Sequence, residues 1–176
     1  GDYNRIALFR GRCFKWGYFP PTLAYAPQEL FSLKARNQKC SILWAGRLVG
    51  FKHPEIPVLL AERLCQRGLD FQMKLIGSGE LEMQVKSMIE GKGLSSHVEM
   101  LGAMPPQDVR HHMERADIFL FTSDYGEGWG AVLNESMNSG CAVVASSAAG
   151  SSAFLIQSGE NGLIYEYGNL NDLYEK

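Results

Sequence analysis

Tyr125-Gly126-Glu127-Gly128-Trp129-Gly130-Ala131-Val132-Leu133-Asn134-Glu135 is the stretch that decides how this chain folds. A β-rich run, Asp117 to Thr122, enters it and a run with helical periodicity leaves it, so a glycine-rich turn flanked by two glutamates lies at the carboxyl end of a strand. Open α/β sheets bind their ligands at that edge. Gly126, Gly128 and Gly130 let backbone N–H groups approach a ligand closely, and the start of the following helix adds partial positive charge suited to phosphate. The stretch predicts a pocket for a nucleotide or a sugar.

Working outward, the same alternation recurs from about residue 41. Ser41 to Ala45, Phe71 to Ile76, Val98 to Leu101, Ile118 to Phe121 and Ala142 to Ala145 are near-continuous apolar runs of the length expected for parallel strands covered on both faces. Between them, Ile56, Leu59, Leu60 and Leu64, then Leu81, Val85, Met88 and Ile89, then Val109 and Met113, then Trp129, Val132, Leu133, Ser136 and Met137 repeat at helical spacing. Pro54 and Pro57 suit the first turn of a helix, and Gly68, Gly91 and Gly140 fall where helices should stop. Strand and helix in regular alternation imply an α/β fold, a doubly wound, Rossmann-like parallel sheet.

The ends read differently. Residues 1–40 carry an aromatic, proline-rich segment, Phe14-Lys15-Trp16-Gly17-Tyr18-Phe19-Pro20-Pro21, with no helical period before about Gln28, and read as an interdomain connector or a remnant of an N-terminal domain. Residues 41–176 read as the domain proper, truncated at both ends relative to a longer protein: Tyr165 to Lys176 begins a helix-like polar segment that stops abruptly, and Gly1 reads as a cloning remnant.

Of the 176 residues, 45% are hydrophobic and 20% charged, the balance of a globular domain. A net charge of −2 with no basic block argues against a nucleic-acid surface, which needs clustered Lys and Arg. Cys13, Cys40, Cys65 and Cys141 show neither Cys-x-x-Cys spacing nor a secretory context, which points to reduced thiols and a cytoplasmic protein. No apolar run approaches the roughly 18 to 20 residues of a membrane-spanning helix, while peripheral association at the inner face of a membrane stays open.

Candidate chemistry clusters after the strands. Arg47 and Lys52 follow the first strand and precede a helix, where they suit a diphosphate clamp; the alternative is two solvated surface cations. Gly77-Ser78-Gly79 follows the second strand and opens a helix, as a phosphate or ribose contact or simply a tight turn; Glu82 stands where a dinucleotide fingerprint needs a small residue. His111 and His112 are adjacent and on a helix point roughly 100° apart, so they cannot share a metal. His53 and His97 are isolated. Glu135 lies off the apolar stripe of its helix, as a solvated carboxylate would.

Gly46-Arg47, Lys52, Gly77-x-Gly79-Glu80, Gly102, Ala116-Asp117 and the Glu127-x7-Glu135 element around Gly128-Trp129-Gly130 occur together in the order and spacing of one family. Over about residues 41–165 the chain resembles the C-terminal domain of retaining GT-B glycosyltransferases of family 4, the glycosyl transferase group 1 proteins. The resemblance implies a donor-nucleotide domain, the C-terminal half of a GT-B fold, that moves a sugar from a nucleoside-diphosphate sugar, by default a UDP-sugar, to a glycan, lipid or other acceptor in polysaccharide or glycoconjugate synthesis. The acceptor would be bound by an N-terminal domain that this chain lacks, so the fragment alone should be inactive.

On that resemblance, Arg47 and Lys52 correspond to the diphosphate clamp, Glu135 to the ribose acceptor and Glu127 to the glutamate beside the donor sugar. Backbone N–H groups from Gly128 through Trp129 to Gly130 would hold sugar hydroxyls and the β-phosphate. Gly46, Gly77 and Gly79 would border the donor, and the turn from Gly102 to Met104 the base. No cofactor or metal is implied, since no Asp-x-Asp motif lies near the clamp. The chain departs from the family where His53, Pro54 and Glu55 replace a glycine and small or acidic residues after the clamp lysine, and where Trp129 replaces phenylalanine. Trp16 to Pro21 resembles the crossover between the two domains. Two other readings remain: an NDP-sugar epimerase of the same fold, and a non-catalytic sugar-nucleotide-binding module.

Overall fold

The computed structural model describes residues 16–176; Gly1, Cys13, Phe14 and Lys15 lie outside the described residues. Helix α1 spans Pro27–Lys34 and strand β1 Cys40–Ala45; α2 (Glu55–Gln66), β2 (Phe71–Ile76), α3 (Glu82–Gly91), β3 (Val98–Gly102), α4 (Pro106–Arg115) and β4 (Ile118–Phe121) follow. Then come α5 (Ala131–Asn138), β5 (Ala142–Ser146), α6 (Gly150–Leu155), β6 (Leu163–Tyr165) and α7 (Leu170–Glu175). The strands form one six-stranded sheet in the order β3-β2-β1-β4-β5-β6, parallel throughout. Strand order reverses between β1 and β4, and the crevice outside the carboxyl ends of those strands is where such a sheet receives a ligand.

The apolar runs form strands because both faces of the sheet are covered. In β1, Ile42 and Trp44 point into one core layer with Val58, Met73, Leu75 and Val85. Leu43 and Ala45 point into the other, with Met113, Phe119, Leu133 and Val143. Alternation along the strand therefore distributes one unbroken apolar run between two cores.

The five expected strands are present within a residue of their expected ends, and a sixth, β6, pairs with β5 through Val144, Ala145 and Ser146. Trp129 does not belong to the fourth helix: Gly130 is left-handed at φ 80 and the helix begins at Ala131. Gly91 is the last residue of α3, and the chain turns instead at Gly93, φ 67. Gly77-Ser78-Gly79 does not open α3 directly, since that helix starts at Glu82. Residues 23–35 pack on the domain. Lys34 Nζ donates to the carbonyl oxygens of Met113, at 3.1 Å, and Ala116, a cation at the negative end of α4. Asn138 exchanges hydrogen bonds with the backbone of Leu23 at 2.8 and 3.0 Å. No described helix is long and apolar enough to cross a membrane.

Candidate functional site

A cleft of about 430 Å³ opens at the carboxyl edge of the sheet. It is lined by Gly46, Arg47 and Lys52 after β1, Gly77 and Ser78 after β2, Ala103 and Met104 after β3, and Glu127, Gly130, Val132 and Glu135 after β4. Its volume falls within the roughly 300–1,000 Å³ of small-molecule sites. A slightly larger cavity, about 470 Å³, lies between α1 and Asn138, but its lysine, Lys34, is already held by the end of α4. The chemistry converges on the first.

The floor consists of close backbone approaches. The Gly46 amide donates to the Ile76 carbonyl at 3.0 Å and the Gly77 amide to the Gly102 carbonyl at 2.8 Å, which stitches the exits of β1, β2 and β3 together. Gly77 has φ 138, and a Cβ there would run into the carbonyl of Gly46. Gly79 serves the same end, for a Cβ on it would lie 2.7 Å from the Leu48 carbonyl carbon, and it does not line the cleft.

Lys52 ends a short 3₁₀ turn, Gly50–Lys52. The Thr122 hydroxyl fixes its backbone: Oγ1 donates to the Lys52 carbonyl at 2.6 Å and accepts from Trp44 Nε1 at 2.8 Å. The ammonium forms an ion pair with Glu127, and both side chains are mostly buried. The Ser123 hydroxyl donates to the same carboxylate at 3.2 Å. Phe51 lies between the two cations, its ring centroid 5.7 Å from the Arg47 guanidinium carbon and 5.5 Å from Lys52 Nζ. Among the described residues no carboxylate pairs with Arg47, so one fixed positive charge faces the cleft without a counter-ion.

On the opposite wall, α5 presents its first turn. Its leading amides have no partner inside the helix and carry the positive end of its dipole. A Cβ at Gly130 would collide with the Phe121 ring. Glu135 is half-buried one turn further on, and no hydrogen bond or ion pair engages its carboxylate among the described residues. Glu135 thus lines the cleft with its carboxylate open to a ligand. Gly128 and Trp129 do not line it. Trp129 turns away, donating from Nε1 to Asn134 Oδ1 at 2.8 Å and meeting Phe154 and Phe19 edge-on at 5.3 and 6.0 Å.

Sequence spacing missed several members. Val109 and Val132 also line the cleft, but as apolar residues at helical spacing they carry no chemical signal in a sequence; Ser78 and Ala103 lie within the two turns that the sequence does single out. The role of Asp124, whose amide donates to the Phe51 carbonyl at 2.9 Å, joins segments some 70 positions apart in the chain, while the Ser123 contact is a local one to Glu127 in the same loop. His111 and His112 face different surroundings: His111 Nδ1 lies 3.4 Å from Glu114, while burial, helped by Lys74 and Arg115, lowers the pKa of His112.

The family profile of Glycosyl transferases group 1 matches residues 27–176. Amylovoran biosynthesis glycosyltransferase AmsK of Erwinia amylovora is 33% identical over 69% of this chain and 32% of its own length. An uncharacterized glycosyltransferase of Methanocaldococcus jannaschii is 36% identical over 62% of the chain and 30% of its own. The chain thus spans about a third of the length of these relatives. Among solved structures, TarM of S. aureus superposes with a TM-score of 0.73 at 25% identity, over 78% of this chain and 27% of that one. Anabaena Alr3699/HepE, in complex with UDP, gives 0.71 at 23% over 86% and 42%.

Proposed function

This chain belongs to the Glycosyl transferases group 1 family, and on that premise we propose that its cleft is the donor site of a retaining GT-B glycosyltransferase of family 4, acting on a nucleoside-diphosphate sugar. One observation carries the reading. A guanidinium without a counter-ion, a lysine held in reserve by a glutamate, a helix N-terminus and a carboxylate without a partner converge on one cleft of nucleotide size. Arg47, by a bidentate fork, and Lys52, as a point charge, neutralise the charge that builds on the departing diphosphate. The leading amides of α5 hold the β-phosphate. Glu135 accepts hydrogen bonds from the ribose hydroxyls, and Ala103 and Met104 border the base.

The Lys52–Glu127 pair gives the site a sequence of events. Diphosphate oxygens replace Glu127 as the partner of Lys52, and the freed carboxylate turns to the donor sugar, where it orients hydroxyls or stabilises positive charge at the anomeric carbon. No side chain of the cleft is placed as an obvious nucleophile, which accords with front-face displacement. The chain spans about a third of its relatives' length, and we assign the acceptor to an N-terminal domain outside it; alone, the chain binds donor and transfers nothing, because transfer needs the acceptor held against the anomeric carbon. A UDP-sugar is the default donor: HepE has been solved with UDP and with UDP-glucose. Polysaccharide synthesis at the cytoplasmic face of a membrane is the setting we assign, since AmsK is an amylovoran biosynthesis enzyme. With two cations present and no Asp-x-Asp motif beside them, binding needs no divalent ion. Calorimetric titration with a panel of nucleoside diphosphates and their nucleosides, with and without EDTA, tests this. Diphosphates should bind more tightly than nucleosides, and EDTA should change nothing. Equal affinity for both would remove the clamp, and a tenfold loss in EDTA would remove metal independence.

A further inference from the structure

His53 stands outside the cleft lining, directly after the clamp lysine, and is the one non-glycine with positive φ among the described residues, at φ 51 and ψ 57. Its side chain accounts for what holds it there. Nδ1 lies 2.8 Å from Glu55 Oε1, and Nε2 lies 3.1 Å from Asp124 Oδ2 and 3.2 Å from the Tyr167 hydroxyl. Glu55 starts α2, Asp124 belongs to the loop that carries Glu127, and Tyr167 follows β6. Asp124 meets the clamp loop a second time through its amide bond to the Phe51 carbonyl, and its Oδ1 accepts from the Gly126 amide at 2.6 Å. We propose that His53 is a positioning residue whose imidazole latches the loop bearing Lys52 to the loop bearing Glu127, holding the two walls of the cleft in register for a diphosphate.

The two carboxylates favour the charged ring, since a neutral ring donating to Glu55 would accept from the Tyr167 hydroxyl at Nε2 and leave Asp124 without its bond. Neutral imidazole has one N–H, so donating to Glu55 and Asp124 together requires the imidazolium. Burial opposes that charge, but hydrogen bonds to Glu55 and Asp124 and their negative charges outweigh it, and the pKa of His53 rises above 6.5. Glu55, Asp124 and Tyr167 are the titratable groups against the ring, and the ammonium of Lys52 is turned to Glu127. A raised folded-state pKa gives a latch that is complete below the ordinary histidine value and lost as pH rises through the raised one. The walls are therefore held more firmly on the acid side of that window.

The binding half of this inference rests on the clamp reading, so its test needs a readout without ligand. His53→Asn suits it, because asparagine tolerates a left-handed backbone but carries no charge. In the ligand-free protein, hydrogen exchange at the Asp124 amide should be faster in His53→Asn than in wild type at about pH 6, and the two rates should converge above the raised pKa. In calorimetric titrations with UDP, wild type should bind roughly three- to tenfold more tightly than His53→Asn at about pH 6, with the ratio falling towards one by about pH 8.5. Taking the ratio cancels the ionisation of the terminal phosphate of UDP, which occurs in the same range. Equal exchange at Asp124 in both proteins, or a ratio independent of pH, would overturn the latch. If wild type binds no UDP, the donor-site reading fails by itself and the exchange result alone decides the latch.

Discussion

β1 and β4 are neighbours in the sheet, and the loops that leave them face each other across the cleft, yet they are built by opposite means. The β1 exit, residues 46–53, carries the charge, and side chains hold it: Thr122 on the Lys52 carbonyl, Glu127 on the Lys52 ammonium, Asp124 on His53. The β4 exit, residues 122–130, ends in backbone. Gly130 turns left-handed against the Phe121 ring and delivers the amides of α5, while Trp129 packs away from the cleft. Two cations side by side repel, and Lys52 is held beside Arg47 by its pairing with Glu127, whereas helix amides need only a chain that can come close. Changes in the first loop should therefore alter affinity before fold, and changes in the second should alter fold before affinity.

The sharpest way to break that contrast is Gly130→Ala. A left-handed alanine with its Cβ inside the Phe121 ring should cost roughly 2–4 kcal/mol, read as a lower urea midpoint. An unshifted midpoint would mean that the β4 loop is not constrained by its backbone. Arg47→Ala should do the reverse. Its stability should stay within about 0.5 kcal/mol, since the side chain is exposed. Its UDP affinity should fall about 10- to 100-fold in calorimetry, more at low salt, while uridine is unaffected.

Two carboxylates sharpen the comparison further. Glu135→Ala should weaken UDP and uridine alike, by about tenfold, because the ribose is common to both. A 2′,3′-dideoxy nucleotide should then bind mutant and wild type equally, and a silent substitution would leave Glu135 a bystander. The smallest effect falls to Glu127→Ala. It removes the competitor for Lys52, so UDP should bind as before or up to about threefold more tightly, while UDP-glucose loses its discrimination over UDP. Weaker UDP binding would mean that Glu127 positions Lys52 for the phosphate instead of holding it in reserve.

How much of this was legible in the sequence follows from what holds each part together. Five strands were readable because the sheet is covered on both faces, so each is a short, largely apolar run, interrupted chiefly by Gln72 and Lys74 in β2 and Glu99 in β3. β6 was not, as three residues at the edge of a sheet are too few to show a pattern. Trp129 stands three and four residues before Val132 and Leu133 and so imitates a helical stripe; only the left-handed turn at Gly130 separates it from α5. α1 buries none of its residues fully, and its docking through Lys34 is a pairing 79 residues apart. The same holds for the site. Arg47, Lys52, Glu127 and Glu135 carry chemical type and stood out, but the reserve pairing of Lys52 with Glu127 and the bridge from His53 to Asp124 join positions 75 and 71 apart, and no local pattern encodes them.

Titrating UDP into the isotopically labelled chain in EDTA, with backbone amide shifts as the readout, tests the central claim most directly. A metal-independent diphosphate site at the switch point predicts that the largest shifts fall on Gly46, Arg47, Gly77 and Gly130 to Val132, with Glu135 following. Saturable shifts gathered instead around Leu23, Tyr25 and Lys34, or no shifts at all until a divalent cation is added, would contradict it.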